Sequence, residues 1–298
     1  MYTGSMVALV TPMQADGAID YAALHTLVEW HITNQTTALI IAGTTGEGPA
    51  LSSVEHAALI ADVVKQVAGR IPVIAGTGSN ATSHTIALTQ AAEEAGADAA
   101  LIVTPYYNKP SQAGLFAHYQ AVASAVNLPI ILYNVPGRTA CDLLPETVER
   151  LAKIPRIIGI KEATGKVDRA TDILQRCGTQ FAIYSGDDAT AYDLLMHGAQ
   201  GIISVTANVA PRNMHDFCAA ALAGDLALAE KLNQQLMPLH KKLFVEANPI
   251  PVKWALHRMG LIGPGIRLPL TPLDLRYHTE VKEALYAAGI LSETTLSE

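Results

Sequence analysis

"RIIGIKEATG", residues 156–165, is the stretch from which the fold of this chain is best inferred. Residues 157–160 form a continuous apolar run, which is typical of a parallel strand buried on both faces. The run ends at Lys161, with Glu162 directly after it, although a lysine side chain is costly to bury. The stretch therefore predicts a buried strand that delivers an ammonium group to its own end.

Seven further apolar runs of this kind lie along the chain. They are GSMVALVTP from Gly4, ALIIAGTTGE from Ala38, RIPVIAGTG from Arg70, AALIVTPYY from Ala99, LPIILYNVP from Leu128, FAIYSGDD from Phe181 and GIISVTANV from Gly201. The runs start 20 to 34 residues apart, with helical patterns between them. Eight strand–helix units predict a (β/α)₈ TIM barrel. An open doubly wound sheet is the alternative, but eight regular units fit closure better.

The segments between the runs carry helix signals. Asp20 is a candidate N-cap for a helix over residues 21–34, and Ser52 and Glu55 have the spacing of a capping box. The first of these helices is expected to bury one side, formed by Leu24, Leu27, Val28 and His31.

The strand pattern stops after Leu222, and only helical patterns follow. We expect helices over residues 225–245, within NPIPVKWALHRMG and over residues 278–288. The predicted organisation is a (β/α)₈ catalytic barrel over residues 1–224 and a C-terminal helical appendage over residues 225–298. Its last residues, SETTLSE, are expected to be frayed.

Composition excludes several classes of protein. Half of the 298 residues are hydrophobic, 16% are charged and the net charge is −7, which fits a large core and argues against a nucleic-acid surface. Three distant cysteines without C-x-x-C indicate neither a disulfide framework nor a zinc site, and scattered histidines without H-E-x-x-H disfavour a metal. No basic leader or 18-residue apolar window occurs. We expect a cytoplasmic protein with no metal or other cofactor and no nucleic-acid or membrane partner.

Polar residues collect where the predicted strands end, which is the face that carries the chemistry of such barrels. These segments are GTTGEG, TPYYN, YNVPGRT, Lys161–Glu162, SGDD and SVTAN. A neutral lysine amine condenses with a ketone to a Schiff base, and an apolar strand end favours the neutral amine. Alternatively, Lys161 is structural and pairs with Glu162 or an aspartate.

Five other side chains at this face are candidates. Thr44 and Thr45, in a glycine-rich loop, have the donors to hold a carboxylate, although an ordinary turn is as consistent with the pattern. Tyr133 and Tyr107 suit proton transfer, unless they only pack. Arg138 suits bidentate binding of a carboxylate, unless it is merely solvated. Their coincidence at one end of consecutive strands favours a site.

These motifs, in this order and over nearly the whole chain, resemble the dihydrodipicolinate synthase family of the class I aldolase, pyruvate-lyase superfamily. The resemblance continues in LMPLHKKLFVEANPIPVKWA and RLPLTP near the C-terminus. It implies that Lys161 forms the Schiff base with pyruvate. It also implies that Tyr133 moves protons in a relay with Thr44 and with Tyr107, which the neighbouring subunit contributes.

The resemblance also implies how substrates are bound. Thr45 anchors the carboxylate of pyruvate, and backbone at Gly186 and Ile203 lines the pocket. Arg138 receives the carboxylate of L-aspartate 4-semialdehyde, the second substrate. The expected assembly is a homo-oligomer, a tetramer built from tight dimers.

Two other functions are weighed against this one. N-acetylneuraminate lyases and sugar-acid aldolases share the lysine and the Y-N-x-P element but lack the arginine of PGRT. A non-catalytic barrel would have lost Lys161 or Tyr133, and both are present.

Feedback control by L-lysine is where the chain departs from the family pattern. The resemblance places a possible allosteric lysine site at four residues, His56, Asn80, His84 and Tyr106. Sensitive members commonly have a glutamate at His84, a histidine at Ser53, and Ser–Ala at Gly48–Pro49. We therefore expect weak inhibition or none. Glu162, which strand alternation directs away from Lys161, is expected to be structural.

Overall fold

The computed structural model describes residues 1–292, and within them parallel strands close into a barrel in chain order. The strands are β1 (Gly4–Ala8), β2 (Ala38–Ile41), β3 (Val73–Gly76), β4 (Ala99–Val103), β5 (Ile130–Asn134), β6 (Ile157–Glu162), β7 (Ala182–Ser185) and β8 (Gly201–Ser204). All eight fall in the predicted apolar runs, and the closure of β1 on β8 confirms the barrel over the open sheet.

Helices connect the strands and cover the outside of the barrel. They are α1 (Tyr21–Thr33), α2 (Ser53–Val67), α3 (Thr82–Glu94), α4 (Gln112–Ala125), α5 (Pro136–Thr139), α6 (Pro145–Leu151), α7 (Val167–Cys177), α8 (Ala191–Met196) and α9 (Pro211–Ala223). The predicted capping signals are confirmed. Asp20 accepts a hydrogen bond from the Ala23 amide at 3.0 Å, and Ser52 and Glu55 form a capping box. The predicted apolar side of α1 is buried.

Side chains of each strand alternate between two apolar layers. The barrel interior contains Met6, Ile40, Ile74, Leu101, Ile131, Tyr184 and Ile203. The larger layer, between strands and helices, takes the intervening residues, such as Leu132 and Ile160. Tyr133 pairs with Lys161 across β5 and β6, so both side chains lie on the inner face of the barrel.

Within the described residues, three further α-helices follow the barrel. They are α10 (Leu226–Lys242), α11 (Ile250–Arg258) and α12 (His278–Ala287), close to the predicted ranges. The boundary between residues 224 and 225 stays a prediction, and residues 293–298 of the predicted appendage and of SETTLSE lie outside the described residues. Among residues 1–292, no helix combines the length and the apolar character that crossing a membrane requires.

Closure of the barrel depends on two glycines that face each other. Gly4 of β1 is in register with Gly201 of β8. A Cβ atom on Gly201 would lie 2.3 Å from the carbonyl oxygen of Gly4 and 2.8 Å from its nitrogen. These distances are too short for any side chain, so the last strand joins the first through bare backbone.

We predict that Gly201→Ala lowers the free energy of unfolding by about 1–3 kcal/mol, the usual cost of overpacking. Gly137→Ala is the matched control, because nothing lies within 4 Å of its added Cβ. Urea denaturation of both variants and the parent chain measures the difference. Equal stabilities would show that the seam between β1 and β8 tolerates a methyl group.

Candidate active site

The predicted catalytic lysine ends β6 and is almost completely buried. Lys161 is 5% exposed, and its Nζ lies 4.4 Å from the centre of the Tyr133 ring. Burial lowers its pKa to about 8, a shift that the nearby carboxylate of Asp188 opposes and the charge of Arg138 assists. The neutral amine that nucleophilic attack requires is therefore far more abundant near physiological pH than for a free lysine, whose pKa is about 10.4.

Glu162 lies on the other side of the strand and pairs elsewhere. Its Oε2 is 3.5 Å from Nε of Arg169 and accepts a hydrogen bond from Nδ2 of Asn134 at 3.2 Å. Its Oε1 accepts the amide of Thr164 at 2.8 Å. The carboxylate beside Lys161 in sequence is thus engaged outside the barrel, in agreement with the alternation of the strand.

Tyr133 and Thr44 meet at the same end of the barrel. Tyr133 is 7% exposed, and Thr44 is hydrogen-bonded to it. Burial raises the pKa of Tyr133, while Arg138 and the bond to Thr44 act against the increase. The phenol is therefore protonated at rest and close enough to Lys161 to exchange a proton with groups bound there.

Asn248, which the sequence analysis missed, joins the two residues predicted to bind substrate carboxylates. Its Nδ2 donates to Oγ1 of Thr45 at 2.9 Å, and its backbone carbonyl oxygen accepts a hydrogen bond from the Arg138 guanidinium at 3.4 Å. The only sequence signal for it was its place in the C-terminal segment NPIP. Thr45 is buried, whereas Arg138 is exposed on α5.

Gly186 borders Lys161 directly, whereas Ile203 lies one strand further round the barrel. Gly186 directly follows β7, and a Cβ atom on it would lie 2.9 Å from Cε of Lys161. Ile203 lies in β8 within the inner apolar layer. The missing side chain at Gly186 leaves the space that the stem of Lys161 occupies.

Tyr107 does not lie beside Lys161, Tyr133 and Thr44 of its own chain. It is 86% exposed, and its backbone is left-handed, with φ of +75°. Its amide donates to the carbonyl of Thr139 at 3.3 Å, which fixes the backbone beside α5. The preceding residue, Tyr106, points inward instead and lines a cavity of about 380 Å³.

This cavity extends from Thr44, Tyr133 and Arg138 to most of the predicted lysine site. It is lined there by His56 and His84, whereas Asn80 is outside the lining and accepts a hydrogen bond from Asn108.

The imidazoles of that part of the cavity have definite partners. His56 Nε2 is 2.7 Å from the carbonyl of Gly76. His84 contacts hydroxyls of Ser79, at 3.3 Å, and Ser53, at 3.5 Å. Among the described residues that line the cavity there is no aspartate or glutamate. Within residues 1–292, no cluster of three or more histidine, cysteine or acidic side chains is arranged to hold a metal ion.

A closed (β/α)₈ barrel with a desolvated lysine at the end of β6, beside a buried phenol, defines a Schiff-base-forming enzyme of the class I aldolase type. The chain belongs to the dihydrodipicolinate synthase family, because the model of the Dihydrodipicolinate synthetase family matches residues 1–288.

Curated relatives and solved structures agree with this assignment. A 4-hydroxy-tetrahydrodipicolinate synthase of Pseudomonas aeruginosa is 59% identical over 98% of this chain and 100% of its own length. One from Thioalkalivibrio sulfidiphilus is 61% identical, over 97% and 99%. A chloride-inhibited dihydrodipicolinate synthase of Acinetobacter baumannii, solved in complex with pyruvate, has a TM-score of 0.96 and 54% identity and covers 98% and 100%.

We predict that the rate at which Lys161 forms an adduct with pyruvate rises with pH and levels off above about 8. Below its pKa the neutral fraction of an amine falls about tenfold per pH unit. Borohydride trapping at low pyruvate from about pH 6 to about pH 10 measures the profile.

Asp188→Asn should move this profile to lower pH, because the carboxylate of Asp188 raises the pKa of Lys161. The amide can still accept the bonds that Asp188 receives from Val205 and Thr206. In the parent enzyme, a midpoint of the pH profile near 10.4, the value of a free lysine, would contradict the desolvation of the Lys161 amine.

Proposed function

We propose that this chain is a 4-hydroxy-tetrahydrodipicolinate synthase, which condenses pyruvate with L-aspartate 4-semialdehyde. The observation that carries the proposal is the buried Lys161 amine, with its pKa lowered to about 8, against the ring of Tyr133. Membership in the family and the names of the relatives support the choice of substrates.

The first half of the reaction forms a Schiff base. The neutral amine of Lys161 attacks the keto carbon of pyruvate, and loss of water leaves an imine. Tyr133, bonded to Thr44, donates and recovers the protons that this step requires. Oγ1 of Thr45 accepts a hydrogen bond from Asn248, so the hydroxyl of Thr45 is suited to donate one to the carboxylate of pyruvate.

The second half forms the carbon–carbon bond. Loss of a proton from the methyl group of the imine gives an enamine, whose carbon attacks the aldehyde of the semialdehyde. The amino group of the new chain then displaces Lys161, which closes the heterocycle and frees the amine. Arg138, at the mouth of the site on α5, binds the carboxylate of this second substrate.

The proposed assembly is a homotetramer of tight dimers in which Tyr107 completes the relay of the neighbouring subunit. Its support is the exposure of Tyr107 on a backbone held beside α5, where its ring is presented away from its own barrel. A relative 40% identical to this chain is described as a monomeric dihydrodipicolinate synthase variant.

A sugar-acid or N-acetylneuraminate lyase activity is not favoured. The relatives with about 60% identity are named as synthases of 4-hydroxy-tetrahydrodipicolinate. Arg138, in the element PGRT, is also suited to hold the carboxylate of a second substrate.

The function is tested by reducing the enzyme with borohydride in the presence of pyruvate and mapping the modified peptide. We expect the adduct on Lys161, and formation of the heterocycle when the semialdehyde is supplied. Arg138→Ala should keep the adduct but lose about ten- to a hundredfold in catalytic efficiency for the semialdehyde, the cost of one charge-assisted contact. Arg212→Ala, which removes an exposed arginine paired with Asp216 on α9, is the control.

Two results would contradict these assignments separately. An adduct on another lysine, or none, rules out the proposed chemistry. Equal loss of adduct and condensation in Arg138→Ala rules out the role of that arginine alone.

We predict that L-lysine inhibits this enzyme weakly or not at all. The cavity beside His56 and His84 offers no carboxylate among its described lining residues to the ammonium of an effector. A charge-assisted partner contributes about 1.5–3 kcal/mol, roughly a ten- to hundredfold change in affinity. Initial rates are measured with increasing L-lysine, and His84→Glu should increase sensitivity. Half-inhibition of the parent below about 1 mM would overturn the prediction.

A further inference from the structure

The loop over residues 43–48, which carries Thr44 and Thr45, contains a buried charged residue. Glu47 is 3% exposed, and its backbone is left-handed, with φ of +55°. This conformation costs free energy for a residue with a side chain and persists only where the surroundings impose it. The loop also has little room to rearrange, since a Cβ atom on Gly48 would lie 2.1 Å from the carbonyl oxygen of Ala42.

The partner of Glu47 comes from α11. Lys253 Nζ lies 2.5 Å from Oε1 of Glu47, and Lys253 is 4% exposed. The other carboxylate oxygen accepts the amide of Arg267 at 3.1 Å. The loop that follows β2 is thus fixed by two groups that lie more than 200 positions further along the chain.

A second contact reaches the loop from the start of the same helix. Asn248 precedes α11 by two residues and donates to Oγ1 of Thr45. Lys253 stands four positions into α11. The two ends of one short segment therefore contact the loop at Thr45 and at Glu47, on either side of the turn.

A buried ion pair is weak evidence for stability, because desolvation of both charges offsets most of their attraction. Apolar residues of similar volume would stabilise the contact between α11 and the loop as well. What an ion pair adds is a defined geometry, since it fixes the position of one carboxylate relative to one ammonium group. The pair is suited to fix the loop at one position.

We propose that Lys253 is a positioning residue of the active site: through Glu47, and together with the contact of Asn248 to Thr45, it sets the loop that binds the carboxylate of pyruvate. The proposal rests on the proposed function, because it takes pyruvate as the ligand of Thr45. Lys253 acts through the loop and does not touch the reacting atoms.

The test is Lys253→Met, which keeps much of the side-chain volume and removes the charge. Borohydride trapping is measured against pyruvate concentration, which separates the half-saturating concentration from the limiting rate. We expect the half-saturating concentration to rise at least tenfold and the limiting rate to stay within about threefold of the parent. The substitution in α11 leaves Lys161 of β6 and Tyr133 of β5 in place, which is why the limiting rate is expected to change little.

The matched control is Lys242→Met. Lys242 of α10 forms an ion pair with Glu280 of α12, in the same C-terminal region but away from the loop. This variant should leave the half-saturating concentration of pyruvate unchanged, whatever its melting temperature. The double variant Glu47→Gln with Lys253→Met should recover part of the lost affinity, because it no longer leaves a carboxylate buried without its ammonium partner.

Asn248→Ala keeps the test decisive if Lys253→Met does not fold. It removes the bond to Thr45 and leaves the ion pair in place, and we expect a three- to tenfold rise in half-saturating pyruvate. Folded variants that match the parent within twofold overturn the proposal. A parent enzyme that forms no adduct at all overturns the proposed function instead.

Discussion

The structure is organised around the cost of holding an ammonium ion inside apolar surroundings. At Lys161, at the end of β6, this desolvation has a chemical consequence: it lowers the pKa of the amine to about 8 and so favours the neutral form. The arrangement requires that no carboxylate pair with it too closely, since a tight ion pair would restore the charged form. The inner layer supplies an aromatic face and aliphatic walls, and Asp188 acts only at a distance.

The pleat of the strands separates the charges that neighbour one another in sequence. Lys161 points into the barrel toward Tyr133, while Glu162 points outward to Asn134 and Arg169. The same hydrogen-bonding register therefore places the amine of Lys161 beside the ring of Tyr133, the proposed nucleophile and proton donor, and keeps the carboxylate of Glu162 away from both. Asn134 and Glu162 are themselves in register, so the outward contacts also secure the alignment of β5 with β6.

Much of this organisation could be predicted from the sequence because it is local or periodic. The eight apolar runs, the caps at Asp20 and Ser52 and the gathering of polar groups at strand ends each follow from short-range patterns. The contacts of Asn248 and Lys253 with the loop after β2 could not, because they join residues more than 200 positions apart and have no period. The outward placement of Tyr107 was implied only by the family resemblance, because two adjacent tyrosines look alike in a residue pattern until the backbone turns one of them outward.

The contacts of Asn248 and Lys253 with the loop over residues 43–48 also have a consequence for folding during synthesis. Thr44, Thr45 and Glu47 leave the ribosome long before Lys253, and the barrel itself lacks its seam until Gly201 meets Gly4. A nascent chain that ends within β8 already contains Lys161 and Tyr133, yet Glu47 in the loop over residues 43–48 has no ammonium partner. If the proposed roles hold, the loop is set only once α11 has been synthesised, so a polypeptide terminated before α11 contains Lys161 but lacks the ion pair that fixes the loop.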